Sequence, residues 1–331
     1  MLRTLSIALR VIAATALICA AGIRLKARAV AQETPAPPAP AAPPAPAMIQ
    51  APEEDSAGVR VSDWPGWPDD DDWFSRVHDE ETIRKTFTLS GDHRSIEVDN
   101  VFGSIEVVGT DGNEVQLVVK KTLHAESKEK LEEARKKVTL GIDQSGNSLR
   151  LYVDGPFRHH DDDFWGFGNE PGYWVSMEFQ LQVPRKSSVQ LKTVNGGVRV
   201  RDVSGEFTIR CVSGGIGMEN VAGSGTVHTV NGPLKVKFRE NPTESWDFGS
   251  INGAVELSFA PKLNADFRLH TFNGSVDSAF AMDAANSTEI SHEGMKTIYR
   301  ANHFGGRVGS GGPEIRVSTL NGAIRLLENH E

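Results

Sequence analysis

The sequence predicts an all-β fold: a single-chain β-solenoid, or β-helix-like repeat, with 18–21 residue coils and one short α-helix near its N-terminal end. A ten-residue pattern occurs seven times, with Gly at the sixth place in every copy and Asn at the fifth place in five copies. From Gly196 to Gly274 the sixth-place glycines lie 18 to 21 residues apart. That spacing suits one coil of a solenoid.

The repeat also fixes the chemistry of its other places. The copies are VDNVFGSIEV (98–107), LKTVNGGVRV (191–200), IRCVSGGIGM (209–218), VHTVNGPLKV (227–236), FGSINGAVEL (248–257), LHTFNGSVDS (269–278) and VSTLNGAIRL (317–326). The first, fourth and eighth places are apolar in every copy, and the seventh is small or Pro. Such regularity specifies architecture better than it specifies activity.

The apolar alternation changes parity across Asn195-Gly196, so the chain is expected to turn a corner there. Asn tolerates the left-handed backbone region and Gly enters it freely. A two-residue antiparallel hairpin is the alternative for Asn-Gly. The repeat favours corners whose fifth-place side chains stack and hydrogen-bond from coil to coil. The predicted corner residues are Gly103, Asn195, Gly196, Ser213, Gly214, Asn231, Gly232, Asn252, Gly253, Asn273, Gly274, Asn321 and Gly322.

One coil is not expected to be stable alone. Burying four or five apolar side chains yields roughly 6 to 15 kcal/mol, whereas ordering about 18 residues costs roughly 18 to 36 kcal/mol. Coils must therefore stack, and the ends of the stack need caps. The helix predicted over Glu126–Lys137 is the candidate for the N-terminal cap, and the excursion after Asp277 for the other end.

Three regions follow from composition. Residues 1–31 have two early arginines, an uncharged stretch and an Ala-Val-Ala site, as in a signal peptide. Residues 5–23 could instead remain as an uncleaved membrane tether. Residues 32–81 contain an Ala/Pro-rich spacer and an acidic Trp-containing segment, both predicted to be largely disordered. Residues 82–331 are predicted to form the β-repeat domain.

Charge and cysteine content set further bounds. The chain carries 35 Lys and Arg against 44 Asp and Glu, and removing the leader removes five of the basic residues, so the net charge becomes 30 minus 44, or -14. A nucleic-acid partner is not expected. Cys211 would be the one remaining cysteine, and it takes a place that is Thr in four other copies. We interpret it as a substitute for Thr, since no base adjoins it.

The block EVDNVFGSIEVVGTDGNEVQLVVKKT, the helix after it, the strand ending at Val183-Pro184 and the serial VNG repeats resemble the bacterial putative-adhesin family of extracytoplasmic β-strand-repeat domains. The resemblance covers about residues 82–327. It implies a β-helix-like fold, an envelope location and no established enzymatic activity. The loop 154–173 and the acidic Trp segment depart from the family pattern.

Few groups of residues in the sequence have the residue types and spacing of a catalytic or metal-binding site. The densest cluster of possible metal ligands is His159, His160, Asp161, Asp162 and Asp163. Imidazoles suit zinc, copper or nickel and carboxylates suit calcium, but no established ligand spacing is present. Glu256 and Asp277 occupy ninth places in successive copies, where two carboxylates could meet. No catalytic constellation is found, and no cofactor is expected.

The sequence therefore predicts an exported, non-enzymatic protein of the periplasm, cell envelope or exterior, with an adhesin-like binding or scaffold role. Its partner is expected to be an envelope protein or a glycan, which the sequence does not identify. Two alternatives stay open: a carbohydrate-active enzyme on the same scaffold, and metal-dependent recognition through residues 159–163.

Overall fold

The structure is a computed structural model that describes residues 77–91, 93–156, 172–284, 290–293, 296–299 and 303–329. Of residues 283–304 only the backbone is described. The predicted leader and residues 32–76, with the spacer and the acidic Trp segment, lie outside the described residues, whereas residues 77–81, which were also predicted to be largely disordered, belong to a strand. The first strand begins at Val77, earlier in the chain than the strand-like sequence that starts at Thr82.

The described residues form strands and one helix, so the all-β prediction is confirmed. The strands are β1 Val77–Thr88, β2 Arg94–Asp99, β3 Ile105–Thr110, β4 Glu114–Ala125, β5 Thr139–Ser145, β6 Ser148–Asp154, β7 Tyr173–Pro184, β8 Ser187–Asn195, β9 Val198–Arg201, β10 Ser204–Ser213, β11 Ile216–Asn231, β12 Leu234–Phe238, β13 Trp246–Asn252, β14 Val255–Phe259, β15 Ala265–Asn273, β16 Val276–Ser278, β17 Asp283–Ala284, β18 Ile290–Glu293, β19 Lys296–Tyr299, β20 His303–Val308, β21 Glu314–Asn321 and β22 Ile324–Glu328. The helix, α1, is Lys128–Lys137.

Hydrogen bonds arrange the strands in two ladders that β11 joins, because its first half pairs in one ladder and its second half in the other. Ladder A has the order β1-β4-β7-β3-β9-β11-β12-β14-β22-β16-β19-β18. Ladder B has the order β5-β6-β2-β8-β10-β11-β13-β21-β15-β20-β17. The inward side chains of both ladders form one hydrophobic core.

The helix packs against the N-terminal end of ladder A. Ser127 caps it, since its Oγ accepts a hydrogen bond from the backbone N–H of Lys130 at 3.2 Å. Leu131 and Ala134 are buried, and the helix contacts β1, β4 and β7. The inward Lys121 of β4 donates from Nζ to the carbonyl of Val138 at 2.7 Å, which ties the end of the helix to the ladder.

The Asn-Gly segments are corners between the ladders, and the hairpin alternative is wrong. β8 belongs to ladder B and β9 to ladder A, and each pairs with strands of other copies instead of with the other. Every pairing between repeat copies is parallel. A short parallel strand on each side of a corner therefore forms the unit of the stack.

The corners lie directly on one another, and glycine makes this contact possible. A Cβ at Gly214 would lie 2.3 Å from the carbonyl oxygen of Gly196, and φ at Gly214 is 153°. Gly232 would meet the oxygen of Gly214 at 2.2 Å in the same way. Real Cβ atoms do not approach a backbone oxygen this closely. Each corner can therefore stack on the next only because the residue at the sixth place is Gly, which has no Cβ.

The order of the repeat copies along the ladders differs from the predicted succession. It follows the sequence from Asn195 through Ser213 and Asn231 to Asn252. The next neighbour of Asn252 is then Asn321, from the C-terminal copy. Asn273 comes after it and pairs with Asn321 instead of Asn252. The copy at 317–326 is thus inserted between the copies at 248–257 and 269–278.

The turn from β20 to β21 makes this insertion possible. β20 is antiparallel to β15 on one side, whereas β21 is parallel to β15 on its other side. The connection passes the start of β15, where Oδ1 of Asn264 accepts a hydrogen bond from the backbone N–H of Ser310 at 2.9 Å. The chain thereby returns to a gap between two earlier coils.

Third-place side chains hold each corner from inside. The hydroxyl of Thr229 donates to the carbonyl of Gly214 at 2.9 Å, and that of Thr271 donates to Gly322 at 3.0 Å. The same bond links further pairs of neighbouring coils: Thr193 with Gly103, Cys211 with Gly196, Ser250 with Gly232 and Thr319 with Gly253. The buried third place is therefore polar because it satisfies a corner carbonyl.

We expect Gly214→Ala to lower the free energy of unfolding by at least about 2 kcal/mol, because it combines an unfavourable φ with a backbone clash. The matched control is Gly217→Ala, in the same copy, where a Cβ would meet no atom within 4 Å. Urea unfolding of both variants measures the difference. Equal stability of the two would contradict the close packing of corners.

The position of the copy at 317–326, between the copies at 248–257 and 269–278, can be tested with an engineered disulfide. In a Cys19→Ser, Cys211→Thr background, Ser250→Cys with Thr319→Cys should oxidise to an intrachain disulfide, because these residues are direct neighbours across β13 and β21. Ser250→Cys with Thr271→Cys should not, since one strand separates them and their spacing is about 10 Å. Thiol titration and peptide mapping distinguish the pairs. A disulfide in the second pair alone would show that the repeat copies stack in the order of the sequence.

Candidate functional site

The fourth places of the repeat form an outward-facing apolar column on ladder B, beside the corners; Val194, Val212, Leu320 and Phe272 are exposed, and the other three members are half-buried. We call it the apolar stripe, and its members in stack order are Val101, Val194, Val212, Val230, Ile251, Leu320 and Phe272. Exposure reaches 46% at Val194 and 53% at Phe272. Because neighbouring strands lie about 4.8 Å apart, the stripe is about 29 Å long.

Local geometry explains why the stripe faces outward. Along β8 the side chains of Val189, Leu191 and Thr193 are buried, and Val194 is the exposed residue that follows them. The chain then turns at Gly196, and Val198 is buried in ladder A. The corner changes the parity of the inward positions, so the fourth place lies outside although it is as apolar as the first and eighth.

A ladder of side-chain amides runs beside the stripe at the fifth place. Nδ2 of Asn252 donates to Oδ1 of Asn231 at 2.7 Å, Asn321 donates to Asn252 at 2.7 Å, and Asn273 donates to Asn321 at 2.8 Å. These bonds run along the stack and hold the amides in one orientation. The corner surface is therefore an ordered one.

An aromatic row leads to the first residue of the stripe from the N-terminal end of ladder A. The imidazole of His124 stacks on the indole of Trp174 with ring centroids 4.0 Å apart and planes at 6°. His78 lies on the other side of His124 at 6.2 Å, and Phe102 lies edge-on to Trp174 at 6.4 Å. Phe102 is the fifth-place residue of the first copy, next to Val101.

Basic side chains flank the middle of the stripe. The second places, one residue row further from the corner, are in stack order Asp99, Lys192, Arg210, His228, Gly249, Ser318 and His270. Arg210 has no ion-pair partner among the described residues, whereas Lys192 lies 3.6 Å from Glu97. His228 lies 3.5 Å from Asp247, and its hydrogen bond lowers the pKa of the Asp247 carboxyl despite the opposing effect of burial.

Glu256 and Asp277, which could meet if the copies followed the order of the sequence, are not neighbours, because the inserted β22 separates their strands. Arg325 lies between them, 3.8 Å from Glu256 and 3.9 Å from Asp277. Both carboxylates are thus neighbours of one guanidinium. This alternation of charges along the ninth places suits a solvated face.

The candidate metal ligands of the sequence lie outside the described residues. His159, His160, Asp161, Asp162 and Asp163 belong to the segment 157–171, so their arrangement is not part of the structure. Within the described part of the chain, no group of three or more His, Cys, Asp or Glu side chains is placed to hold a metal ion. None of the helices in that part is long and apolar enough to cross a membrane.

A small depression near the helix is lined by Asp79, Glu80, Glu81, Lys121, Leu123 and Arg135. Its charges are engaged in structural contacts: Arg135 donates from Nε to Asp79 at 3.0 Å, and Lys121 is held by the carbonyl of Val138. Burial lowers the pKa of the Lys121 ammonium. The arrangement fastens the helix to β1 and β4.

Cys211 occupies the third place, as the sequence indicated. Its Sγ donates to the carbonyl of Gly196 at 3.2 Å, in the position where Thr229 bonds Gly214 in the next coil. The thiol is buried, and burial raises its pKa above the usual value. A buried thiol with a raised pKa carries little thiolate at neutral pH. Because the thiolate is the nucleophilic form, Cys211 has the properties of a structural residue.

No family model and no curated protein matches the chain. Two crystal structures are similar to it in fold. One is of a putative cell adhesion protein from Clostridium sporogenes ATCC 15579, with 10% identity, coverage of 76% of this chain and 100% of that chain, and a TM-score of 0.38. The other is of a putative adhesin from Bacteroides fragilis NCTC 9343, with 10% identity, coverage of 75% and 97%, and a TM-score of 0.36.

We expect Cys211→Thr to preserve or raise the stability of the fold, because a hydroxyl is the stronger donor to the corner carbonyl. Cys211→Val should lower the free energy of unfolding by about 1 to 3 kcal/mol, since it leaves that carbonyl without its side-chain donor. Thermal unfolding of the two variants provides the comparison. A less stable Thr variant would show that the thiol has another role.

Proposed function

We propose that this chain is a non-enzymatic binding protein of the cell envelope, whose coils form a β-solenoid-like body that presents the apolar stripe to a protein partner. The partner segment is extended and carries apolar and acidic side chains. The observation that carries this proposal is the stripe itself: seven outward places in a row, none of them polar.

Packing within the ladder does not by itself require apolar residues at the fourth place. A β-branched polar residue such as Thr fits a strand about as well as Val. The outward second place shows this tolerance, since it holds Lys, Arg, His, Ser, Gly and Asp in different copies. A continuous row of outward apolar residues, four of them exposed, is typical of an interaction surface.

Charge supports an acidic partner. Lys192 and Arg210 lie beside Val194 and Val212, the second and third members of the stripe, and His228 follows them in the next copy. A partner that places apolar groups on the stripe would bring its neighbouring side chains to these cations. Acidic groups there would be attracted, which favours association and orientation.

The non-enzymatic part of the proposal is supported by the ninth-place column. Arg325 lies between Glu256 and Asp277, so these two carboxylates are not direct neighbours on the outer face. The envelope location is supported by the signal-like residues 1–31 and by the Ala/Pro-rich spacer, which in an extended conformation holds a domain away from a membrane.

The stripe can be tested by substitutions that change polarity and keep shape. Val194→Thr with Val212→Thr should weaken binding of the full chain to cell envelopes of the producing organism by at least about tenfold, because apolar anchors dominate interface energy. Co-sedimentation of labelled protein with envelopes measures the dissociation constant. Protease treatment of the envelopes should abolish binding, since the partner is a protein.

The matched control is Val108→Thr with Leu327→Thr, the same chemistry at half-exposed outward positions of ladder A. This pair should bind envelopes like the unchanged chain. Equal binding of the stripe variant and the control would contradict the stripe as the binding surface. Binding that survives protease treatment but is lost on glycosidase treatment would show that the partner is a glycan and not a protein.

A further inference from the structure

The stripe has a candidate occupant within the same chain. We propose that residues 64–74 bind the apolar stripe intramolecularly and are displaced when the partner binds. This proposal rests on the proposed function, because it assigns the regulation of the same surface. It is argued from the composition of the segment, from the point at which it joins the structure, and from charge.

The segment has the chemistry that the stripe requires. It reads WPGWPDDDDWF, with Trp64, Trp67, Trp73 and Phe74 as large apolar groups and four consecutive aspartates. Indole rings bury a large area at low conformational cost. Pro65 and Pro68 fix φ at their own positions and disfavour helical backbone at the preceding Trp64 and Trp67, which lowers the conformational entropy lost on binding.

The segment joins the structure at the corner side of the stack. Val77 pairs with Ala125, and Ala125 pairs with Tyr173 at the start of β7. β7 runs parallel to β3, which begins just after the first corner at Gly103. The starts of β1 and β7 therefore lie on the same side as the corners, the amide ladder and the stripe.

A continuous path leads from this point to the stripe. The aromatic row of His78, His124, Trp174 and Phe102 crosses β1, β4 and β7 and ends beside Val101. From β1 to Val212 the path crosses five strand spacings, about 24 Å. The 13 residues that precede Val77 from position 64 span up to about 43 Å when extended.

Charge favours this occupant. Four aspartates of the segment would lie opposite Lys192 and Arg210, and Arg210 has no ion-pair partner among the described residues. Attraction between such exposed groups extends over about 8 Å at physiological salt, so it acts once the aromatic groups hold the segment near the stripe.

Photo-cross-linking tests the contact directly. Benzoylphenylalanine placed at position 212 of the full chain should give, on irradiation, an adduct of monomer mass that peptide mapping assigns to residues 61–76. The control is the same group at the exposed position 235, in ladder A, where no adduct with these residues should form. Adducts of dimer mass would assign the stripe to a second copy and overturn the proposal.

A second variant separates this proposal from the proposed function. Trp64→Ala with Trp67→Ala and Trp73→Ala should reduce the adduct at least about tenfold, and should strengthen envelope binding by a similar factor because the competitor is lost. An absent adduct, or an unchanged one in this variant, overturns intramolecular binding. If the adduct forms as expected but stripe substitutions leave envelope binding unchanged, the proposed function alone fails.

Discussion

The stack depends on one close contact between neighbouring corners. The carbonyl oxygen of one sixth-place Gly lies where a Cβ atom would be on the sixth-place Gly of the next corner. A Cβ at Gly196 would lie 2.1 Å from the oxygen of Gly103, and at Gly253 it would lie 2.0 Å from that of Gly232. The same carbonyls accept the third-place hydroxyl and thiol bonds, as Gly232 does from Ser250. Gly at the sixth place and a small donor at the third are therefore two parts of one contact, and together they fix the distance between coils.

The parts of the fold that this contact determines could be predicted from sequence. The corners, the buried third place of Cys211 and the helix are local consequences of residue type and spacing. The order of the coils could not, because the copies are chemically equivalent: Asn252 bonds Asn231 on one side and Asn321 on the other with the same 2.7 Å distance. Sequence adjacency favours the nearest copy, but the turn beside Asn264 brings the C-terminal copy into the gap.

The candidate site was less accessible to sequence reasoning, for two physical reasons. In the sequence, the apolar fourth place looks the same as the buried first and eighth places. Only the three-dimensional position of the corner shows that the fourth place faces outward, so the sequence pattern alone does not reveal the stripe. The expected meeting of Glu256 and Asp277 assumed sequential coils, and the inserted Arg325 shows how one error in coil order changes a surface. The metal hypothesis concerns residues 159–163, which lie outside the described residues.

Comparison among the seven copies separates what the scaffold needs from what it presents. The sixth, third and eighth places are explained by corner packing, corner hydrogen bonds and the core, whereas the second and ninth places vary freely because they face solvent. The fourth place fits neither group, since it is outward and yet never polar. An uncovered apolar row on a stack of parallel strands invites self-association. A covering segment on the same chain meets that requirement at high effective concentration and leaves the surface available to a partner that binds it more tightly.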